Sequence, residues 1–130
     1  MPTSDPRPHI LVVDDERVIA QLIADVLSAE GYDVDTAFDG RAALAHIERR
    51  TYDLILSDLR MPELDGLGLH RELTRSRPEL ARRFVFITGT SEHTDYRDFI
   101  EEVAAPVLTK PFDLMELLRV AREMLAARTR

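Results

Sequence analysis

The sequence predicts a single α/β domain built on a doubly wound, five-stranded parallel sheet. Three observations carry that expectation. Four short runs are continuously apolar, ILVV (10–13), LIL (54–56), FVFI (84–87) and PVLT (106–109). Such runs suit strands covered on both faces, because a half-exposed strand would alternate. Stripes of helical period stand between the runs, and strands alternating with helices close through right-handed crossovers that put helices on both faces. The length, 130 residues, is enough for one core and short for two.

Taken in order, Met1 to Pro8 holds three prolines and reads as a loose lead, so the domain body is expected over 9–127 with a tail at 128–130. After the first strand, Val18, Ile19, Leu22, Ile23, Val26 and Leu27 form a helical stripe, with Gly31 at a plausible stop. YDVDTA (32–37) alternates polar and apolar residues and reads as an edge strand. Ala43, Leu44 and Ile47 mark a second helix before LIL. Leu69 and Leu73 mark a third, closed off by Pro78 before FVFI. Phe99, Ile100 and Val103 suggest a short fourth helix ahead of PVLT. The fifth runs through Leu114, Leu117, Leu118, Ala121 and Leu125, with Asp113 where an N-cap belongs. The result is five strands and five helices. The order 2-1-3-4-5 is one standard arrangement of that kind, with its ligand site at the carboxyl ends of the strands, but the residues themselves leave the order open.

Composition narrows the function classes. Seventeen basic against 24 acidic side chains leave a net charge of −7, which repels a phosphate backbone and argues against a direct nucleic-acid partner. With no cysteine, disulfides, thiolate metal sites and cysteine nucleophiles are excluded. No apolar stretch approaches a membrane span and the polar start is no signal peptide, so the cytoplasm is the expected location. His9, His46, His70 and His93 lack zinc spacing and are expected on the surface or in loops.

The chemistry gathers at the strand ends. The first strand ends in Asp14 and Asp15, the third in Asp58, the fourth in Thr88 and Gly89, and the fifth in Lys110. Singly these are ordinary turn formers, helix caps or a solvated lysine. Together they assemble three carboxylates whose mutual repulsion calls for a compensating cation, and Mg²⁺ suits because it accepts a few carboxylates while keeping waters for phosphoryl oxygens. A carboxylate can accept a phosphoryl group. Asp58, on the expected central strand and followed by LRMPELDG, is the candidate. Lys110 would meet a phosphoryl oxygen as a mobile point charge, and Thr88 offers a hydroxyl at the same edge.

The ordered set ILVVDDE, DLILSDLRMPELDG, FVFITG and VLTKPF resembles the receiver domain of two-component response regulators, from about His9 to Ala127. The resemblance implies a flavodoxin-like three-layer sandwich of order 2-1-3-4-5 with five helices. It implies Asp58 as phosphoacceptor, Asp14 and Asp15 in the acidic pocket that holds Mg²⁺, and the Arg60 backbone carbonyl joining the coordination. Thr88 would be the switch hydroxyl, and Lys110, before a cis Pro111, would contact the phosphoryl group. Such a domain takes its phosphoryl group from the phosphohistidine of a histidine kinase or a histidine phosphotransfer domain, catalysing its own acylphosphate formation and often its hydrolysis. Arg60 and Thr90 would flank the acceptor and affect access by water, with Arg60 either paired to Glu63 or leaning over the pocket. One position departs from the family pattern. Val107 stands where a switch aromatic is usual, which puts coupled motion of threonine and ring in doubt and suggests a relay station. The first helix and the loop after Lys110 would dock a histidine-bearing helix bundle. The face of the fourth helix, fifth strand and fifth helix would serve a homodimer or an effector.

Two rival classes stand beside a phosphoryl-accepting signalling domain. A phosphorylation-independent interaction module of the same fold is disfavoured by the full set of Asp14, Asp15, Asp58, Thr88 and Lys110. A flavin-carrying electron carrier or small hydrolase is disfavoured by the missing Gly-rich phosphate loop and nucleophile–histidine pair.

Overall fold

A computed structural model describes residues 7–89 and 97–127. Its strands are β1 His9–Val13, β2 Asp33–Ala37, β3 Leu54–Asp58, β4 Phe84–Thr88 and β5 Val107–Thr109. All pair in parallel, in the order β2-β1-β3-β4-β5. The helices are α1 Arg17–Ala29, α2 Gly40–Arg49, α3 Gly66–Ser76, α4 Pro78–Ala81, α5 Arg97–Val103 and α6 Leu114–Ala127.

The apolar runs are continuous because each strand feeds two cores. Along β1, Leu11 and Val13 join one cluster while Ile10 and Val12 join the other; β3 and β4 divide in the same way. The first cluster is completed by Ala43 and Ile47 of α2, Leu69 and Leu73 of α3, Leu80 of α4 and Ile100 of α5. The second is completed by Ala20, Ile23 and Leu27 of α1 and by Leu117, Val120, Ala121 and Leu125 of α6. Two helical layers therefore sandwich the sheet, and β3 and β4 are buried at every residue. Burying each large aliphatic side chain in such a core stabilises the fold by about 1.5–3 kcal/mol.

β2 lies at the sheet edge, as its alternation predicts. Its acidic side chains are tethered from the α2–β3 connection: Arg50 donates to Asp33 (3.1 Å) and Asp35 (2.9 Å), and the Tyr52 hydroxyl donates to Asp35 (2.5 Å). α1 gives way to Gly31 at φ +97°, a left-handed conformation that glycine adopts without penalty. Asp113 caps α6 through Oδ1, which accepts from the Glu116 amide at 2.7 Å.

Two expectations change. Pro78 follows the end of α3, whose C-cap Arg77 leaves helical backbone, and it also opens the short α4, so the described residues hold six helical segments in place of five. Proline suits a first turn because its fixed φ is already helical and its missing N–H has no partner there. His70, expected on the surface, is buried, its ring among Phe84, Phe86 and Phe99 at centroid distances of 5.2–6.2 Å. It belongs to the inward face of α3 beside Leu69 and Leu73. His93 lies outside the described residues.

Candidate functional site

Strand alternation aims the candidate residues before any contact is considered. Asp14 continues the parity of Ile10 and Val12, Asp58 that of Leu54 and Leu56, and Lys110 that of Leu108, so all three fall on the α1/α6 side of the sheet. Thr88 continues the parity of Phe84 and Phe86 on the other side.

Local bonds hold each group in place. The Asp14 amide donates to the Ala37 carbonyl (3.0 Å) and its Oδ1 accepts from the Glu16 amide (2.9 Å), turning the chain toward α1. Asp58 ends β3, whose ladder to β4 is extended by the Leu59 amide to the Ile87 carbonyl (2.9 Å). Gly66 opens α3 directly over this strand end, where a Cβ would stand 2.3 Å from the Asp58 carbonyl oxygen. Only glycine admits that approach. The Lys110 amide donates to the Thr88 carbonyl (2.7 Å), so the β4–β5 ladder delivers the lysine to the edge, and the Lys110–Pro111 peptide is cis.

The side chains converge on one ammonium. Lys110 Nζ lies 3.4 Å from Asp58 Oδ2, 3.4 Å from Glu16 Oε1 and 3.7 Å from Asp14 Oδ2. Asp14 is fully buried and Asp58 nearly so, while Glu16 reaches in from solvent. Burial raises the Asp14 pKa above the usual carboxylate range, opposed by the hydrogen bond from the Glu16 amide and the charge of Lys110. Burial alone would lower the Lys110 pKa, but the charges of Asp58, Asp14 and Glu16 outweigh it and raise the pKa. The fully buried Thr88 hydroxyl donates to the Gly89 carbonyl (3.0 Å).

The donor set suits a hard divalent cation. Ligand oxygens of Asp14, Glu16 and Asp58 lie within 4.8 Å of one another, and the buried Asp14 Oδ2 accepts no hydrogen bond among the described residues. Mg²⁺ takes oxygen ligands of this type.

Residues 10–122 match the response regulator receiver domain family. The chain belongs to that family. The receiver domain is 37% identical over 116 residues to the response regulator ArlR of Staphylococcus saprophyticus, covering 89% of this chain and 51% of ArlR. It is 37% identical over 110 residues to the transcriptional regulatory protein DltR of Streptococcus agalactiae, covering 85% of this chain and 48% of DltR. The chain thus spans about half the length of these relatives. Among solved structures, the receiver domain of NtrX from Brucella abortus superposes with a TM-score of 0.82 at 38% identity, covering 90% of this chain and 98% of that one. A receiver domain protein from Clostridium thermocellum gives 0.84 at 27% identity, covering 94% and 97%.

The side chains of some expected residues stand apart from the three-carboxylate group. Asp15 is exposed and lies outside the three-carboxylate group; Glu16 stands there instead. Neither Asp14 nor Asp15 caps α1, whose N-cap is Glu16 with no side-chain capping bond. The sequence offered no signal for Glu16 beyond a poor N-cap residue at a helix start, where Ser, Thr, Asp or Asn is preferred. Arg60 is exposed in the loop after β3, and Glu63 forms an ion pair with Arg41 at 3.4 Å. Val107 is half-buried and packs against the cluster that contains Phe86. Gly89 is half-buried beside Thr88, and Thr90 lies outside the described residues.

Proposed function

We propose that this receiver domain accepts a phosphoryl group on Asp58 from the phosphohistidine of a histidine kinase or a histidine phosphotransfer domain, in a Mg²⁺-dependent reaction. The observation that supports this most is the placement of Lys110 Nζ 3.4 Å from Asp58 Oδ2 beside the fully buried Asp14. An Asp58 oxygen attacks phosphorus as the bond to the histidine nitrogen breaks, and negative charge grows on the transferring oxygens. Lys110 meets that charge from a pre-set position. The Thr88 hydroxyl leaves the Gly89 carbonyl to donate to a phosphoryl oxygen. Asp14, Asp15, Asp58 and the Arg60 carbonyl would hold Mg²⁺, with Glu16 nearby, and a bound ion would screen repulsion between the acceptor carboxylate and the phosphoryl donor.

The donor protein docks beside the site. Ile19, Leu22 and Ile23 of α1 with Pro111, Phe112 and Leu114 line an apolar groove of 470 Å³ that reaches Lys110. Leu22 and Leu114 remain 50% and 46% exposed, as a surface for a helix bundle requires. The face of α5, β5 and α6 serves a homodimer or effector. With Val107 in place of an aromatic ring, the domain acts as a relay station, passing the group onward. Among the described residues no helix is long and apolar enough to cross a membrane, in keeping with a cytoplasmic reading.

Incubation with Mg²⁺ and acetyl phosphate, followed by intact-mass measurement, tests the acceptor. A gain of about 80 Da, lost in Asp58→Asn and without metal, is the expected result. No gain from either acetyl phosphate or a phosphorylated kinase would favour an interaction module that works without phosphorylation.

A further inference from the structure

We propose that Glu16 is a positioning residue that holds Lys110 at the rim of the site and so keeps the cation position between Asp14 and Asp58 accessible. Glu16 occupies the N-cap of α1, yet its side chain makes no capping bond. It reaches Lys110, 94 residues away, with Oε1 3.4 Å from Nζ. A local rule of helix capping is broken, and the carboxylate is committed to the site instead.

The ammonium has three donors and is shared among three carboxylates, two of them buried. Attraction to a buried carboxylate is stronger than to an exposed one, because less solvent screens it. Without the Glu16 charge, Lys110 settles onto Asp14 and Asp58, and an incoming cation has to displace it. Nζ already stands 3.7 Å from the fully buried Asp14 Oδ2, inside ion-pair range but beyond a hydrogen bond, so the lysine has room to close further onto that oxygen once the pull from Glu16 is gone. The inference rests on the reading of Asp14 and Asp58 as cation-holding carboxylates.

The experiment titrates the unphosphorylated protein with MgCl₂ at constant ionic strength and follows backbone amide shifts at the strand ends, with no phosphoryl donor present. Glu16→Gln weakens Mg²⁺ binding by roughly two- to fivefold, the scale of a solvent-exposed ion pair. The same substitution in a Lys110→Met background leaves the affinity where Lys110→Met alone sets it, because there is no ammonium to hold. An unchanged affinity in the first background overturns the proposal. So does an equal loss in the second, which would mean that Glu16 acts on the cation directly. If the unaltered protein shows no Mg²⁺-dependent shifts, the cation reading itself fails and takes this inference with it, a result distinct from a normal titration that Glu16→Gln does not move.

Discussion

His70 turns its imidazole into an aromatic enclosure, edge-on to Phe84 at 5.2 Å, and burial there lowers its pKa from the ordinary 6.5 while a hydrogen bond to the Ala81 backbone opposes the shift. The folded protein therefore holds this proton less tightly than the unfolded chain. Its contribution to stability is present above pH 6.5 and is lost as pH falls from there through the lowered value. Urea midpoints measured across that window should decline with acid, and His70→Phe should flatten the decline; an unaltered slope would assign it to other groups. Lys110 shows the opposite balance, since three carboxylates outweigh the cost of burying an ammonium. The same single charge is thus both a structural tie and the group best placed to meet an incoming anion.

Elements act here by where they start and stop. Asp65 caps α3 by accepting from the Gly68 amide (2.8 Å), and the Gly66 amide donates to the Leu59 carbonyl (2.9 Å), which pins the helix onto the end of β3. Because a Cβ at Gly66 would meet the rigid backbone oxygen of Asp58 at 2.3 Å, Gly66→Ala must displace either the helix or the strand end. It should cost about 1–3 kcal/mol of stability in denaturant unfolding. It should also slow Mg²⁺-dependent labelling by acetyl phosphate, since Asp58 moves with its carbonyl. A variant of native stability and rate would show that this junction is looser than its geometry implies.

Across the described residues, the two helical layers leave apolar side chains exposed, and Leu22 and Leu114 among them line the groove beside Lys110. Val18 and Leu22 of α1 and Leu114 and Met115 of α6 keep 79%, 50%, 46% and 68% exposure, and the helical stripes that contain Leu22 and Leu114 do not by themselves say which members face solvent. Leu22→Glu places a charge in the groove and should alter stability by no more than about 0.5 kcal/mol. Transfer from a phosphorylated histidine kinase should slow roughly tenfold, the effect of losing one apolar contact of moderate strength. Labelling by acetyl phosphate should slow far less. Equal slowing of both reactions would place Leu22 in the chemistry and not in docking.

The sequence by itself determined the strands and the polar residues at their ends, because a strand buried on both faces must be apolar throughout and a polar residue at its end has to face the sheet edge. Asp14, Asp58, Thr88 and Lys110 were legible for that reason. It also marked β2 as an edge strand through its alternation. Tertiary structure decided the rest. The strand order depends on which crossovers pack, and no single run of residues records it. Glu16 was not legible as part of the site, because an exposed glutamate at a helix start looks like any solvated acid until Lys110 is brought to it from the far end of the chain. His70 was misplaced, and Leu22 left unassigned between core and surface, for the converse reason: a periodic stripe shows that a helix has an inner face but not its rotation about its own axis, and that angle is set only by the side chains it meets.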